Sequence, residues 1–266
     1  MSITEINIYP VKSLGGVSLQ TATVENRGFT FDRRWMLIDE DDRFISQREM
    51  PQMSRIKLSI AGDMAIAEYG GEMLVLEPPT GQMVEVSIWD DVVAAALCGE
   101  TANEWFSAAL GTGVRLVRMP DGVKRPVDPK YALEGTGDEV SFADAYPYLI
   151  IGEASLKDLN SRMEHPVPMN RFRPNLVFSG KEPFAEDDWK KIRIGDIVFH
   201  LVKPCARCVI TTIDQAEGIK KGPEPLRTLA EFRNVNGKVM FGQNMIAEPG
   251  GGVINIGDKI EVLETK

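Results

Sequence analysis

Two cysteines separated by two residues lie in a segment that also carries two cations, Lys203-Pro204-Cys205-Ala206-Arg207-Cys208. A positive charge beside a cysteine favours the thiolate, which is the form that attacks electrophiles or binds metal. The flanking runs 197–202 and 209–213 are rich in β-branched residues and predict two strands. Pro204 is expected to end the first strand, because proline donates no ladder hydrogen bond. We therefore expect both thiols in a loop at a strand end.

Four interpretations of this cysteine pair are open. A structural zinc site needs four ligands, but a second cysteine pair is missing, Cys98 is alone, and His165 and His200 are the only histidines. A thioredoxin-like redox pair is expected at the start of a helix in a βαβ unit, whereas residues 209–213 indicate a strand. In the third interpretation, the cysteines are two ordinary side chains at a buried turn. In the fourth, one soft thiolate binds a transition metal whose other ligands come from a cofactor.

Composition excludes several classes of protein. With 266 residues, 43% hydrophobic and 26% charged, the chain is expected to be soluble and globular, in one large or two moderate domains. The net charge of -9 argues against nucleic acid or an anionic membrane as a partner. No apolar run approaches the roughly 20 residues of a membrane span, and the first residues lack the regions of a signal peptide. Three cysteines suit a reducing compartment, so we expect a cytoplasmic location.

Strand-like segments dominate, at residues 3–9, 35–38, 43–46, 56–60, 74–76, 84–88 and 114–117. Segments 35–38 and 43–46 flank an acidic turn and predict a hairpin. Apolar spacing and stop signals predict helices over residues 101–110, 153–163 and 226–232. The loop 119–137 is rich in proline, glycine and charge, which predicts a domain boundary. The expected fold is mainly β (α+β): two β-barrel-like domains, residues 1–118 and 119–266, with peripheral helices.

Cations recur at predicted strand ends and turns in this acidic chain. Scattered surface charge explains any one of them, but Arg173 stands between Phe172 and an apolar strand-like run, so a strand would carry it into an apolar setting. A partly buried arginine needs an anionic partner, and arginine combined with lysine is the chemistry that binds phosphate. A phosphorylated, sulfur-liganded metal cofactor would use both the cations and the thiol. The cations are Lys12, Arg33, Arg34, Arg48, Arg171, Arg173, Lys203 and Arg207.

Several segments, in this order along the chain, resemble the MOSC proteins, which are named for the C-terminal domain of molybdenum cofactor sulfurase. The likeness is strongest to the bacterial YcbX-like proteins and the mitochondrial amidoxime-reducing component, and it covers nearly the whole chain. Segments 9–13 and 31–35 resemble the family's N-terminal β-barrel domain, and the later ones imply a MOSC fold in the C-terminal half. The later segments are 141–147, 153–156, 171–175, the thiol segment and 241–244.

The resemblance implies a molybdenum cofactor (Mo-molybdopterin), with the metal bound by one pterin dithiolene and by Cys208. Cys208 would be the catalytic residue and the metal ligand, and Cys205 a neighbour. Pyridoxal phosphate is not expected. Positions that match those holding the pterin and its phosphate are Lys12, Ser13, Arg33, Arg173, Asn175, Ala206 and Arg207, together with Asp144, Tyr146 and Asn244, where backbone atoms can make the contact.

The activity implied by the resemblance is reduction of small N-hydroxylated compounds, such as amidoximes and N-hydroxylated nucleobases, to amidines or amines. Some YcbX-like chains continue into a ferredoxin domain, which needs four further cysteines that this chain does not have. We therefore expect a separate electron-donor protein of the ferredoxin or flavoprotein reductase type. Two alternatives are a cofactor or sulfur carrier that acts through Cys208 and a protein that only stores the cofactor.

Overall fold

A computed structural model describes residues 1–266 and confirms a mainly β fold with three α-helices. The strands are β1 (Ser2–Ile8), β2 (Val17–Leu19), β3 (Thr21–Glu25), β4 (Gly28–Phe29), β5 (Trp35–Ile38), β6 (Lys57–Ala61), β7 (Met64–Tyr69), β8 (Glu72–Val75), β9 (Met83–Ile88), β10 (Asp91–Leu97), β11 (Arg115–Arg118), β12 (Tyr148–Gly152), β13 (Leu176–Ser179), β14 (Trp189–Ile194), β15 (Ile197–Ala206), β16 (Ile213–Asp214), β17 (Ile219–Lys220), β18 (Asn234–Val235), β19 (Lys238–Ala247), β20 (Gly252–Asn255) and β21 (Ile260–Thr265).

The largest sheet joins strands from the beginning and the end of the chain, in the order β2-β1-β13-β12-β19-β15-β14-β21. β1 pairs antiparallel with β13, so that Ile6 lies opposite Leu176. Every residue of β12 is buried, and one side of the sheet covers the largest apolar cluster of the molecule. The sheet thus draws strands from both sides of the predicted boundary at residues 118 and 119, and that boundary stays a prediction.

A second sheet, in the order β5-β11-β10-β9, forms the barrel of the N-terminal part. A short segment joins the two edge strands of this sheet. Arg43 bridges to Ser87 of β9, and Phe44 bridges to Ile38 of β5. The predicted hairpin is therefore only partly correct, because its second arm makes isolated bridges and β5 pairs mainly with β11. Because the segment with Arg43 and Phe44 bridges to both edge strands, it does not form a continuous ladder with either one. The segment closes the barrel instead.

The three predicted helices are present. They are α1 (Glu100–Leu110), α2 (Glu153–Ser161) and α3 (Leu226–Phe232). α1 ends at Gly111, whose left-handed φ of 72° suits a residue without a side chain. α2 ends two residues before the predicted position 163. Not one of these helices combines the length and the apolar character that crossing a membrane requires.

The segment that carries the thiols differs from the prediction in two ways. β15 continues through Pro204 to Ala206, because the pairing with β19 shifts register between these residues and such a bulge accommodates a proline. The strand predicted over 209–213 is also wrong, since Val209–Thr212 form a short 3₁₀ helix. The hydroxyl of Thr211 donates to the Cys208 carbonyl at 3.0 Å, and that of Thr212 donates to the Val209 carbonyl at 2.7 Å. Such local hydrogen bonds compete with a strand ladder.

We predict that Gly242→Ala destabilises the protein more than Gly237→Ala. Both glycines have a left-handed φ, of 82° and 78°, so each variant carries the same backbone strain of about 1–2 kcal/mol. A Cβ at Gly242 would lie 2.7 Å from Cγ1 of Ile151, whereas nothing lies within 4 Å of one at Gly237. The clash should add about 1–3 kcal/mol to the loss, as measured by urea unfolding. Equal losses in the two variants would contradict the close packing of β19 on β12.

Candidate functional site

All eleven site residues predicted from the sequence line one cleft between the large sheet and the barrel. They are Lys12, Ser13, Arg33, Asp144, Tyr146, Arg173, Asn175, Ala206, Arg207, Cys208 and Asn244. The remaining lining is mostly apolar and includes Leu149, Phe172 and Ile210. The chain thus brings together residues that lie up to 232 positions apart (Lys12 to Asn244). The individual roles that the resemblance implies for them stay predictions.

Two arginines of the cleft enclose the ring of Tyr9. The guanidinium carbon of Arg33 lies 4.3 Å from the ring centroid and that of Arg173 lies 4.1 Å from it. Tyr9 follows β1 and Arg173 precedes β13, so the pairing of these strands brings them together. Burial raises the pKa of Tyr9 to about 12, although both arginines act in the opposite direction, and the ring therefore stays a neutral phenol. It donates its hydroxyl to the Pro174 carbonyl at 3.1 Å.

The two arginines differ in how their charge is balanced. Arg33 donates to the buried carboxylate of Asp32 at 2.6 Å. Arg173 makes no ion pair and donates only to the Leu14 carbonyl at 2.8 Å and to Oε1 of Gln215 at 3.4 Å. Burial lowers the pKa of Arg173 to about 10, so the side chain is still charged at neutral pH. An enclosed cation without a carboxylate is suited to bind an anionic ligand.

Arg207 is the second cleft arginine without a carboxylate partner. Its Nη1 donates to the sulfur of Cys205 at 2.9 Å and its Nη2 donates to the Phe172 carbonyl at 2.5 Å. Its Nε is buried and has no hydrogen-bond partner. Cys205 packs against the apolar cluster that contains Phe172 and Phe241. The first cysteine therefore faces a cation and a packed core.

Cys208 stands at the N-terminal end of the 3₁₀ helix, and its sulfur accepts a hydrogen bond from Nη2 of Arg48 at 3.4 Å. The sequence interpretation assigned that electrostatic role to Lys203 and Arg207. Lys203 instead lies 4.3 Å from the ring centroid of Tyr131 and does not line the cleft, while Arg207 contacts Cys205. Of the two expected cations only Arg207 contacts a thiol, and that thiol is Cys205.

Lys12 and Asp144 form an ion pair at the cleft. The Lys12 ammonium is buried and also donates to the Phe142 carbonyl at 2.8 Å. Burial lowers the pKa of Lys12 to about 8, although Asp144 opposes the shift. Burial alone would raise the pKa of Asp144, but the charges of Lys12 and Arg48 outweigh it and hold the carboxyl well below its usual range. The Asp144 side chain is 55% exposed, so solvent screens part of this attraction.

Two of the cations singled out from the sequence lie outside the cleft lining and have ordinary ion pairs. Arg171 donates to Asp214 at 2.9 Å, and Arg34 donates to Glu25 at 2.5 Å. Of each neighbouring pair, 171 with 173 and 33 with 34, one arginine lines the cleft and the other lies outside it in an ion pair. Charge at a strand end alone therefore does not identify a ligand-binding side chain.

Comparisons with known proteins match the whole chain to one family. Residues 1–113 match the MOSC N-terminal beta barrel domain, and residues 137–261 match the MOSC domain. Mitochondrial amidoxime-reducing component 1 of Mus musculus is 34% identical over 98% of this chain and 82% of its own length. The chain belongs to the MOSC family. The fold and family expected from the resemblance are thereby confirmed.

Other relatives of this MOSC chain carry related names. Mitochondrial amidoxime-reducing component 1 of Homo sapiens is 32% identical over 98% of this chain and 83% of its own length. Molybdenum cofactor sulfurase of Oryza sativa subsp. japonica is 32% identical over 90% of this chain and 32% of its own length. Among solved structures, the YUAD protein from Bacillus subtilis covers 97% of this chain and 93% of its own, with 12% identity and a TM-score of 0.45.

The side chains of the MOSC cleft fit a cofactor that brings its own phosphate and metal ligands. Cys208 offers one soft thiolate, which suits molybdenum. Arg173 and Arg207 lack carboxylate partners, and the buried Nε of Arg207 lacks an acceptor, so both are suited to a bound anion. Three cleft residues, Ser13, Arg33 and Arg173, have left-handed φ values of 67°, 51° and 53°. Such strain is common where a ligand site fixes the backbone.

Sequence reasoning assigned no role to Tyr9, Asp32 and Trp89, and it singled out Arg48 as a cation without its contact to the thiol. Tyr9 separates the two arginines, Asp32 balances Arg33, and Arg48 reaches Cys208 while its guanidinium carbon lies 4.5 Å from the Trp89 ring centroid. Tyr9 and Asp32 lie inside the motifs that carry the MOSC resemblance, so those motifs contained a signal for them. Arg48 and Trp89 come from the barrel, and only the three-dimensional arrangement reveals their contact with the thiol.

We predict that the affinity of the cofactor-free cleft for sulfate falls as the pH rises through about 8. Lys12 is charged below its pKa of about 8 and neutral above it, so its attraction for an anion is lost with increasing pH. From pH 7 to pH 9 the loss should be up to roughly tenfold, measured by isothermal titration calorimetry. Sulfate is chosen because its own charge is constant over this range.

The matched control is Lys12→Met, which should bind sulfate more weakly at pH 7 and show no step between pH 7 and pH 9. An equal step in Lys12→Met would show that another group titrates. A constant affinity in the unmodified protein would contradict the role of Lys12 as an anion-binding cation.

Proposed function

We propose that this MOSC protein is a molybdenum-cofactor-dependent reductase of N-hydroxylated compounds, such as amidoximes and N-hydroxylated nucleobases. The products are the corresponding amidines and amines, and the electrons come from a separate protein. The observation that carries the proposal is one cleft lined both by Cys208 and by two arginines without carboxylate partners, Arg173 and Arg207. The names of relatives that are 32–34% identical over nearly the whole chain support the same reaction.

In this proposal Cys208 binds the metal, and the cleft cations hold the phosphate of the pterin. Arg173 is suited to bind that phosphate because it has no carboxylate partner, and Arg33 contacts the same Tyr9 ring. Asn175 is largely committed to the protein, since its Oδ1 accepts from Arg33 at 3.3 Å and from the Leu149 amide at 3.2 Å. It would position Arg33 and the pterin edge. The cleft residues left for the pterin are the polar Ser13, Asp144, Tyr146, Arg207 and Asn244, together with Ala206.

The chemistry that the cofactor supplies when bound is two-electron reduction of the N–O bond. Replacing N–OH by N–H also consumes two protons and releases water. Lys12 can hold a proton at Nζ near neutral pH, because its pKa is about 8. Burial raises the pKa of Tyr146, so its hydroxyl stays protonated and can donate a hydrogen bond to a substrate oxygen. Leu149 and Phe172 provide an apolar wall that excludes water from this space.

A second function is supported by a different observation. The rice molybdenum cofactor sulfurase matches 90% of this chain, although the chain spans only 32% of that protein. In the alternative function, Cys208 would carry sulfur or pass on the cofactor without turnover of an N-hydroxylated substrate. The same cleft would then hold the cofactor for storage or transfer. The two functions differ in whether a fully loaded protein turns over substrate.

The electron donor is proposed to be a separate ferredoxin-type or flavoprotein-type protein. Cys98 is buried, and Cys205 and Cys208 belong to the cleft, which leaves no cysteine set within residues 1–266 for an iron–sulfur cluster. A cytoplasmic location likewise stays a proposal, based on the composition of the chain.

We predict that molybdenum-loaded protein reduces benzamidoxime with reduced methyl viologen but not with NADH alone. Viologen donates electrons without a docking partner, whereas NADH needs a hydride-accepting cofactor. The assay is benzamidine formation, followed by chromatography. Cys208→Ala should abolish turnover, and Cys205→Ala should retain most of it, because only the first variant removes the proposed metal ligand.

Three results would each contradict one part of the proposal. Sustained turnover by the isolated chain with NADH would contradict the need for a separate electron donor. Complete inertness of a loaded sample with viologen, across several N-hydroxylated substrates, would favour the carrier function. Equal loss of activity in the two cysteine variants would contradict the single-ligand role of Cys208 and support a redox pair.

A further inference from the structure

Arg48 is the one cation that contacts the Cys208 sulfur, yet it does not line the cleft. It lies on a segment of the barrel, 160 residues away from Cys208 in the sequence. Its side chain is 20% exposed. A group in this position cannot contact most of a ligand in the cleft, but it can act on that ligand through the sulfur.

The guanidinium of Arg48 is held on two further sides. Its Nη2 donates to Oδ2 of Asp144 at 3.2 Å as well as to Cys208, so both N–H bonds of this nitrogen are used. Its carbon lies 4.5 Å from the ring centroid of Trp89. The indole N–H of Trp89 donates to the other oxygen of Asp144 at 3.3 Å. Three residues therefore form a closed set that fixes the direction of the N–H bond toward sulfur.

The arrangement has costs that its own contacts do not explain. Nη1 of Arg48 is buried without a hydrogen-bond partner, and an unmade buried hydrogen bond is unfavourable. Trp89 has a left-handed φ of 56° and remains 46% exposed. Strained and unsatisfied groups that persist together are characteristic of functional sites.

We propose that Arg48 is a positioning residue that donates an N–H···S hydrogen bond to the Cys208 thiolate and raises the reduction potential of the metal bound there. This inference rests on the proposed function. A hydrogen bond to a ligating sulfur withdraws electron density from it, and a weaker donor favours the more reduced state of the metal. The barrel thereby controls the electronic properties of a ligand that belongs to the MOSC domain.

The test is a potentiometric titration of the loaded protein, followed by the electron paramagnetic resonance signal of Mo(V). Arg48→Met keeps an extended side chain against Trp89 but removes both donors. We expect its midpoint potential to fall by the equivalent of about a tenfold change in the oxidised-to-reduced ratio, which is about 59 mV for a one-electron step. Arg48→Lys keeps the charge but not the fixed two-donor geometry, and its potential should lie between the other two.

The matched control is Arg43→Gln, which removes one positive charge from the same segment, where the side chain is 70% exposed and lies outside the cleft lining. It should keep the unmodified potential. An unchanged potential in Arg48→Met, an equal shift in Arg43→Gln, or a full return to the unmodified potential in Arg48→Lys would each overturn the proposal. If circular dichroism shows that Arg48→Met does not fold, the test rests on Arg48→Lys alone. A lowered midpoint potential in Arg48→Lys would support the hydrogen bond, and the same potential as in the unmodified protein would contradict it.

The outcomes separate this inference from the proposed function. Unmodified protein that contains no molybdenum and no Mo(V) signal would contradict the proposed function itself. A normal signal in the unmodified protein, with no shift in the Arg48 variants, would contradict only the role of Arg48. Loss of molybdenum from Arg48→Met at normal folding would also overturn the proposal, because Arg48 would then retain the cofactor rather than tune it.

Discussion

The cleft depends on half-buried positive charge that the protein does not neutralise itself. In a chain with a net charge of -9, the arginines at positions 173 and 207 have no carboxylate partner. Enclosing a cation is costly unless an anion accompanies it. The pairing of β1 with β13 maintains this arrangement, because it fixes Tyr9 between Arg33 and Arg173. A phosphorylated ligand would supply the missing anion.

The two halves of the chain contribute different chemistry to the same space. The N-terminal half supplies Lys12, Ser13 and Arg33 from the turns that connect its strands, and Arg48 from the segment after the barrel closure. The C-terminal half supplies the thiols at the end of β15 and Asn244 from the neighbouring β19. Neither half contains a complete site, so the large sheet that joins them is a functional element as well as a core.

Much of the fold and the site could be predicted because its signals are local. α1 and α3 have helical spacing with clear ends, and motifs around Lys12, Arg33, Arg173 and Cys208 carry the family resemblance in short segments. The prediction failed for residues 209–213, where β-branched residues indicate a strand but two threonine hydroxyls bond to carbonyls three residues earlier. Such competition depends on side-chain geometry that composition does not record.

Contacts between distant segments could not be predicted from local patterns. Arg48 and Cys208 are separated by 160 residues, and neither the residues around Arg48 nor their periodicity points to a thiol. The same holds for the closure of the barrel by Arg43 and Phe44, whose apolar and acidic surroundings suggested an ordinary hairpin. In both cases the deciding partner lies on an element whose position follows only from the assembled sheets.

In the proposed function, Cys208 alone attaches the metal of the cofactor to the protein. X-ray absorption at the molybdenum edge, on protein made in cells that synthesise the cofactor, tests it most directly. Cys205→Ala should keep the sulfur coordination of the unmodified protein, and Cys208→Ala should lose one sulfur ligand or all of the molybdenum. A molybdenum site with unchanged sulfur coordination in Cys208→Ala would contradict the account.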